Sequence, residues 1–317
     1  MKARPQTQRG AALLVAMVIL TLVSTMAAGM VWQQWRAVEV EAAERARVQA
    51  GWILTGALDW GRLVLREDRG SGPDHLGEAW ATPLAEARLS TFLSKDRENT
   101  DQGPEAFLSG SIRDAQSRYN LRNLIDGNDK VVAKELAVLK QLCATAEVSA
   151  DTAELIATGL QQALLGEKAD GHAEGAAALK PHSLAQLAWL GVDAESIRRL
   201  QPFVDLLPSP TPVNANTASR EVLAAVLDME MGSAERLIQA RQKNPFKTTD
   251  EIRTQIGSKS AIDPQRLSIN SGFFEISGRL RLEGRVIEER SLVQRVGTSI
   301  EPRSRERYSV LSTAAGS

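Results

Sequence analysis

Few residues of this 317-residue chain have a spacing that could do chemistry. Its three histidines, His75, His172 and His182, lie in loops flanked by Gly or Pro, and no nucleophile, zinc-protease or phosphate-binding motif accompanies them. The single cysteine, Cys143, lies in an apolar helical pattern and is predicted to be a small core residue, so no internal disulfide can form. We therefore expect a protein that is not an enzyme.

One glycine-rich loop has a composition that could suit a metal ion. Asp170, His172 and Glu174 alternate along residues 166–175, an arrangement that a transition metal could use. Their spacing matches no defined metal cage. An empty, solvated loop is therefore the favoured interpretation.

The N-terminal segment carries the strongest signal in the chain. Lys2, Arg4 and Arg9 precede Gly10, and residues 11–32 contain no charge. A helix over this apolar stretch would be about 33 Å long, close to the thickness of a bilayer's hydrocarbon core. Because the basic residues lie on its amino side, residues 1–10 are predicted to be a cytoplasmic leader and the chain beyond residue 32 to face the periplasm.

A secretory signal peptide cut near Ala28 is the alternative, because small residues lie near the end of the apolar stretch. Against it, apolar residues continue at spacings of three, four and seven to about Arg66, and Trp32 and Trp35 suit a membrane interface. Residues 33–66 are therefore predicted to extend the membrane helix into the periplasm.

Beyond this helix the pattern predicts strands on both sides of a helical region. Residues 67–104 form a loop-rich connection with one short helix at 84–93, and residues 105–115 form a strand. Two more strands are predicted within 272–296, joined by a turn at Glu283-Gly284. Seven helical patterns lie between these strand regions, and residues 298–317, rich in Ser, Arg and Glu, are predicted to be disordered. The prediction is an α+β fold: a long N-terminal helix and a small antiparallel sheet interrupted by a large all-α insert.

The N-terminus resembles the precursors of type IV pilins. In that class a membrane peptidase cuts after the Gly of a segment like Arg9-Gly10, which is followed here by Ala11-Ala12-Leu13-Leu14-Val15. Most members have Glu where this chain has Val15, and its partner in pilins is the terminal amine of a neighbouring subunit, since an unpaired carboxylate in the bilayer is costly. A subunit without this Glu suits an end position in a filament.

Within this class the chain resembles the K-type minor pseudopilin family of the type II secretion system, which has a similar mature length (317 minus 10, or 307 residues). Residues 111–124 and 212–225 resemble two further segments of that family. The family-motif positions are Asp114, Tyr119, Asn120, Asn123, Asn214, Asn216 and Thr217. The resemblance implies cleavage between Gly10 and Ala11 by prepilin peptidase and a place at the tip of a periplasmic pseudopilus.

The resemblance also implies an architecture and a set of partners. A pilin-like body would comprise residues 67–124 and 269–297, interrupted at 125–268 by a helical insert with helix-hairpin-helix units. The implied partners are the I-type and J-type minor pseudopilins, the prepilin peptidase, the major pseudopilin and the inner-membrane components of the system.

Calcium is a further implication, because K-type relatives carry it on carboxylates of the helical region. The candidate ligands here are Glu167, Asp170 and Glu174, with a second acidic turn at Asp126 and Asp129. Both sets are sparse for an ion that takes six to eight oxygens.

The insert also supports a competing hypothesis, since residues 216–252 resemble a helix-hairpin-helix unit of competence DNA-binding proteins. A single-pass membrane protein that binds DNA is therefore the alternative function, and a membrane-tethered scaffold outside secretion is a third. Asp228 and Glu230 lie in the hairpin turn, where they would repel a phosphate. In a chain of net charge -1, the basic residues of this unit are more typical of a solvated helix face, so no nucleic-acid partner is expected.

Overall fold

The structure, a computed structural model, describes residues 9–68, 72–89, 106–168, 179–257, 262–282 and 285–310. It contains two compact units, Met1–Thr55 and Gly56–Ser317. The predicted turn at Glu283-Gly284 lies outside the described residues.

The chain begins with one long helix, α1 (Arg9–Glu67), which confirms the helix predicted to about Arg66. Among the described residues it is the one helix long and apolar enough to cross a membrane. Its apolar side chains between Leu13 and Trp35 are exposed, as suits contact with lipid rather than a protein core. Farther along, Glu41 and Arg45 pair across one turn at 2.5 Å.

The second unit contains a five-stranded antiparallel sheet, which confirms the strands predicted at 105–115 and 272–296. Its members are β1 (Leu84–Arg88), β2 (Ala106–Asp114), β7 (Phe273–Leu282), β8 (Arg285–Val296) and β9 (Ser299–Val310), in the order β1-β2-β7-β8-β9. Side chains alternate between its two faces, since Phe274, Ile276 and Leu280 of β7 are buried while Arg279 is exposed.

The last turns of α1 pack on the buried face of this sheet. Leu58 and Leu65 share one hydrophobic cluster with Phe274, Ile276, Trp80 and Val293. Gly61 permits the close approach, because a Cβ atom there would lie 2.7 Å from Ile276 Cγ2. The helix end is thereby fixed to the middle of the sheet.

Between β2 and β7 the chain forms a helical insert with its own core. Its helices are α2 (Ala133–Thr145), α3 (Ala150–Lys168), α4 (Ala194–Leu200), α5 (Arg220–Leu227), α6 (Met231–Lys243) and α7 (Thr249–Ile256), with a 3₁₀ helix at Leu184–Leu190. Their apolar faces enclose one cluster, in which the predicted core residue Cys143 is fully buried. Ser219 caps α5, with its hydroxyl accepting from Val222 N at 3.3 Å.

The insert also contains two short parallel ladders in addition to the predicted helices. β3 (Tyr119–Asn120) pairs with β4 (Val204–Asp205), and β5 (Val213–Asn214) pairs with β6 (Leu267–Ser268). In these ladders, the segment that leaves the sheet (β3) and the segment that returns to it (β6) each pair with a strand from the middle of the insert's sequence.

Two local predictions were wrong, and both errors concern strands at the edges of the sheet. Residues 84–88 form β1, which pairs with β2, instead of a helix over 84–93; residues 90–93 lie outside the described part. Within the tail predicted to be disordered, residues 299–310 form β9. Its Arg305 and Arg307 pair at 3.2 and 2.8 Å with Glu289, whose side chain is fully buried. Cross-strand pairing, which local composition does not show, determined both outcomes.

Two glycines of α1 provide a matched test of this packing. We expect Gly61→Ala to be less stable than Gly56→Ala by about 1–3 kcal/mol, because both gain the same helix propensity but only the former adds a methyl against Ile276. At Gly56 an added Cβ meets no atom within 4 Å. Urea denaturation of the chain in detergent, followed by tryptophan fluorescence, measures the difference; equal stabilities would contradict the packing described.

A buried polar junction as the candidate functional site

A buried carboxylate lies where the insert leaves the sheet. Asp114 is the last residue of β2 and is 2% exposed. Its Oδ2 accepts hydrogen bonds from Thr217 Oγ1 at 2.5 Å, Ser271 Oγ at 2.6 Å and Asn214 Nδ2 at 3.0 Å, while its Oδ1 accepts from Gln116 N at 2.8 Å. The carboxylate therefore connects the end of β2 to Asn214 and Thr217, in the middle of the insert, and to Ser271, where the chain leaves the insert.

Burial raises the pKa of Asp114 to about 6, although the bonds from Ser271, Thr217 and Gln116 oppose that rise. Burial without a cation in direct contact disfavours the ionised form, whereas donated hydrogen bonds favour it. Asp114 thus serves as an acceptor for neutral donors, which is a structural role.

Asparagine amides extend this junction into the connecting segments. Asn214 Nδ2 also donates to the Asp74 carbonyl at 3.1 Å and to Ser271 Oγ at 2.9 Å, while its Oδ1 accepts from Asn216 N. Asn216 in turn bonds both the carbonyl and the N–H of Phe246, at 3.0 and 2.9 Å. Each amide replaces a missing backbone partner, as a buried irregular segment requires.

The first family-like segment makes the same kind of contact with residues 203–211. Asn123 bonds both the carbonyl and the N–H of Thr211, at 2.8 and 3.0 Å. Asn120 donates to Ser209 O at 2.8 Å and accepts from Leu207 N at 3.1 Å. Tyr119 is buried in the insert core, and burial raises its pKa well above the ordinary value.

Three contributors to the junction were missed by the sequence predictions, because their partners are distant in the chain. Gln116 Oε1 accepts from Gly272 N at 2.6 Å, and its Nε2 donates to Pro212 O at 2.8 Å. Ser271 N donates to Asp74 Oδ2 at 2.7 Å. No local motif marks Ser271 or Asp74, although Gln116 lies inside the family-like segment at 111–124.

An acidic cluster beside the junction has the spacing of a metal site. Among the described residues, carboxylate oxygens of Asp68, Asp74 and Glu78 lie within 4.8 Å of one another. Arg295 fills this position with its guanidinium, at 2.5 Å from Asp74 and 3.1 Å from Asp68, while Glu78 accepts from the Trp80 indole N–H at 2.8 Å. The carboxylates are therefore satisfied by protein groups.

The calcium candidates do not form a cage in the described residues. Asp126 Oδ1 accepts from the backbone N–H groups of residues 128 and 130, both at 2.9 Å, so this carboxylate closes its own turn. Asp129 adopts a positive φ of 58° in that turn. Glu167 lies in the last turn of α3, while Asp170 and Glu174 lie outside the described residues, and the donor set of the described turn does not fit calcium.

The predicted N-terminal site residues all lie in or before α1. Gly10 and Ala11 belong to its first turn, after Arg9, while Lys2 and Arg4 precede the described residues. Val15 is 57% exposed, and Trp32 and Trp35 are exposed to a similar extent, 61% and 62%. The Arg36 guanidinium lies 5.4 Å from the centroid of the Trp32 ring.

The hairpin between α5 and α6 disfavours phosphate binding. Its turn places Asp228 at a positive φ of 50° and Glu230 at the N-cap of α6, and the basic residues of this unit are Arg236, Arg241, Lys243 and Lys247. Arg241 donates to Ala215 O at 2.5 Å inside the insert. Arg241 therefore has a structural role, in contrast to the solvated helix face predicted for the basic residues of this unit.

The apolar N-terminal helix, the sheet on which it ends and the anchored helical insert define a pilin-like subunit enlarged by an insertion. Two family models described as type II secretion system protein K match residues 117–209 and 213–270. Both of these regions of the chain are therefore similar to this family. The boundary between the two matched regions divides the junction residues. Asn120 and Asn123 lie in the first region, and Asn214 and Asn216 lie in the second.

Individual relatives agree with this similarity. The type II secretion system protein K of Pseudomonas aeruginosa is 29% identical over 306 residues, covering 88% of this chain and 86% of the relative. That of Pectobacterium carotovorum is 26% identical, covering 93% and 94%. The fold resembles a solved chain of the K–I–J complex from enterotoxigenic Escherichia coli, with a TM-score of 0.63 and 20% identity, covering 84% of this chain and 98% of that one.

Removing the Asp114 carboxylate should weaken the attachment of the insert to the sheet and so lower the stability of the protein. We expect Asp114→Ala to lower the free energy of unfolding by about 3–5 kcal/mol, because four donors lose their acceptor in a buried site. Asp193→Ala is the control, since this exposed N-cap residue of α4 should cost only about 1 kcal/mol. Urea denaturation measures both, and similar losses would contradict a central role for Asp114.

The raised pKa of Asp114 also predicts a pH dependence. Between about pH 4 and 6 the native chain holds a proton that the unfolded chain has lost, so this group's contribution to the free energy of unfolding falls as pH rises through that window. We expect Asp114→Asn to remove that share of the fall when stability is measured from pH 4 to 7. Asp205, whose burial raises its pKa to about 6, supplies a separate share for comparison through Asp205→Asn. An unchanged profile in Asp114→Asn would be inconsistent with this account.

Proposed function

We propose that this protein is a minor pseudopilin that prepilin peptidase cleaves between Gly10 and Ala11. It then occupies the tip of the periplasmic pseudopilus, where it supports filament initiation and protein export. The observation that carries this proposal is the exposed apolar stretch of α1 on a chain that is similar to the K family. Such a surface needs either lipid or the helices of other subunits around it.

The sequence around the proposed cleavage site supports an inner-membrane precursor with a cytoplasmic N-terminus. The positive charges of Lys2, Arg4 and Arg9 lie on one side of the apolar stretch, and this bias keeps the leader in the cytoplasm. The insert and sheet then lie in the periplasm. Trp32 and Trp35 are suited to the interface between the inner membrane and the periplasm at the end of this span.

Two features favour the tip over a repeating position. Val15 offers no carboxylate to the terminal amine of a subunit added beyond it. The insert, held to the sheet through the Asp114 junction, adds a second core of six helices to the described part of the body. The added bulk of the insert would leave little room for another subunit to be stacked above it.

The I-type and J-type minor pseudopilins are the proposed neighbours, together with the major pseudopilin and inner-membrane components. Support comes from the fold relative, whose structure is a complex of the K, I and J proteins. On this chain, Trp60 and Leu63 are 55% and 42% exposed, and open space lies at Gly56. These residues follow the i, i+4, i+7 spacing of one helix face, which suits packing by a partner helix.

This helix face can be tested by introducing a charge. We expect Trp60→Glu to weaken association with the I-type and J-type proteins by at least about tenfold, because the carboxylate would be buried in an apolar contact. Trp189→Glu is the control, since Trp189 is 52% exposed on the insert. Sedimentation of the purified proteins in detergent measures both. Failure of the unaltered chain to associate, or equal effects of the two variants, would contradict the proposed assembly.

A further inference from the structure

A groove of about 570 Å³ lies between the outer face of the sheet and the insert. Outward side chains of β2, β7, β8 and β9 form its floor, while the 3₁₀ helix Leu184–Leu190 and α4 contribute its wall. Its volume lies within the range of roughly 300–1,000 Å³ that is typical of ligand sites. The junction residues around Asp114 do not line it.

The floor of the groove carries a connected set of charges. Arg113 lies between two carboxylates, at 3.6 Å from Asp205 and 3.2 Å from Glu275. On the next strand, Arg290 bonds Glu288 at 2.6 Å and lies 5.2 Å from the Tyr308 ring centroid. Glu275 is a diagonal cross-strand neighbour of Arg290, because Ser277 is paired with that arginine.

Carboxylates outnumber guanidinium groups in this set. Glu306 also faces the groove, but its bond is to the neutral hydroxyl of Tyr308. The groove thus contains four carboxylates, from Asp205, Glu275, Glu288 and Glu306, against three guanidinium groups, from Arg113, Arg118 and Arg290. Asp205, Glu275 and Glu288 are each less than one-third exposed, so solvent screens their excess negative charge less than on an open surface.

The shape favours an extended chain over a small cation. Four neighbouring strands span about 14 Å at the usual strand spacing, which is long enough for several extended residues. The wall presents apolar Leu184, Ile197 and Leu206 opposite the acidic floor. An extended segment with alternating apolar and basic side chains would satisfy both surfaces, because successive side chains point in opposite directions.

We propose that this groove binds an extended basic segment, with Lys or Arg side chains, from a neighbouring pseudopilin. This inference rests on the proposed function. The basic side chains lie against Glu275, Glu288 and Glu306, and the alternate side chains contact the apolar wall.

A synthetic peptide tests the chemical class of the ligand. We expect acetyl-Val-Lys-Val-Lys-Val-amide to bind the full chain in detergent, with salt-dependent affinity, and the corresponding Glu peptide not to bind. The double variant Glu288→Gln, Glu306→Gln should weaken binding by about tenfold, since two charge pairs are lost. Glu235→Gln, which removes an exposed carboxylate of α6 paired with Arg220, should leave it unchanged. Equal binding of both peptides, or equal affinities for all variants, would overturn the proposal.

Photo-crosslinking tests the source of the segment. A photoreactive residue replacing Ser277 on the groove floor should give a product with another pseudopilin in cells that assemble the secretion system. The double Gln variant should lose most of it. A crosslinker at Trp60 is the comparison: a product from Trp60 but none from Ser277 would overturn the groove proposal while leaving the proposed function intact. No product from either position would count against both.

Discussion

The structure depends on how one buried carboxylate is satisfied. Asp114 ends β2, and its register partner on β7 is Phe274, three residues after Ser271. The chain therefore leaves the sheet and returns to it at adjacent positions, with the whole insert in between. Asp114 contacts the returning segment through Ser271 and the middle of the insert through Thr217, and it thereby fixes the insert at its base.

This arrangement explains why the connecting segments are rich in asparagine. Buried irregular backbone must find hydrogen-bond partners away from helices and strands. Asn123 and Asn216 each bond both the N–H and the carbonyl of one distant residue, Thr211 and Phe246 respectively, and so behave like short strand partners. Arg295 has a similar role at the sheet, where it neutralises Asp68 and Asp74 beside the returning segment.

Much of the fold was predictable because periodicity depends on neighbours in the chain. The helical pattern gave α1 nearly to the residue and placed the other helices between the two strand regions, and alternation gave β7. β1 and β9 were not predictable in the same way, because their strand structure depends on partners in β2 and β8, among them Glu289. For the site, the family resemblance pointed to Asp114, Asn214 and Asn216. Ser271 and Arg295 carry no local signal, because they join the site only through contacts with residues distant in the chain.

The insert and the N-terminal helix have complementary roles in the proposed assembly. The C-terminal turns of α1 pack on the sheet through Leu58 and Leu65, and the apolar stretch lies earlier in the same helix. Such a subunit can enter a filament only if the leader is removed and the apolar helix is kept. A secretory signal would instead remove that helix and leave no means of packing into the filament.

The most direct test is therefore the N-terminal residue of the mature protein, determined by mass spectrometry in host cells with and without their prepilin peptidase. The account predicts a chain that begins at Ala11 only when the peptidase is present. A chain that stays uncut in its presence, or one cut near Ala28, would contradict it.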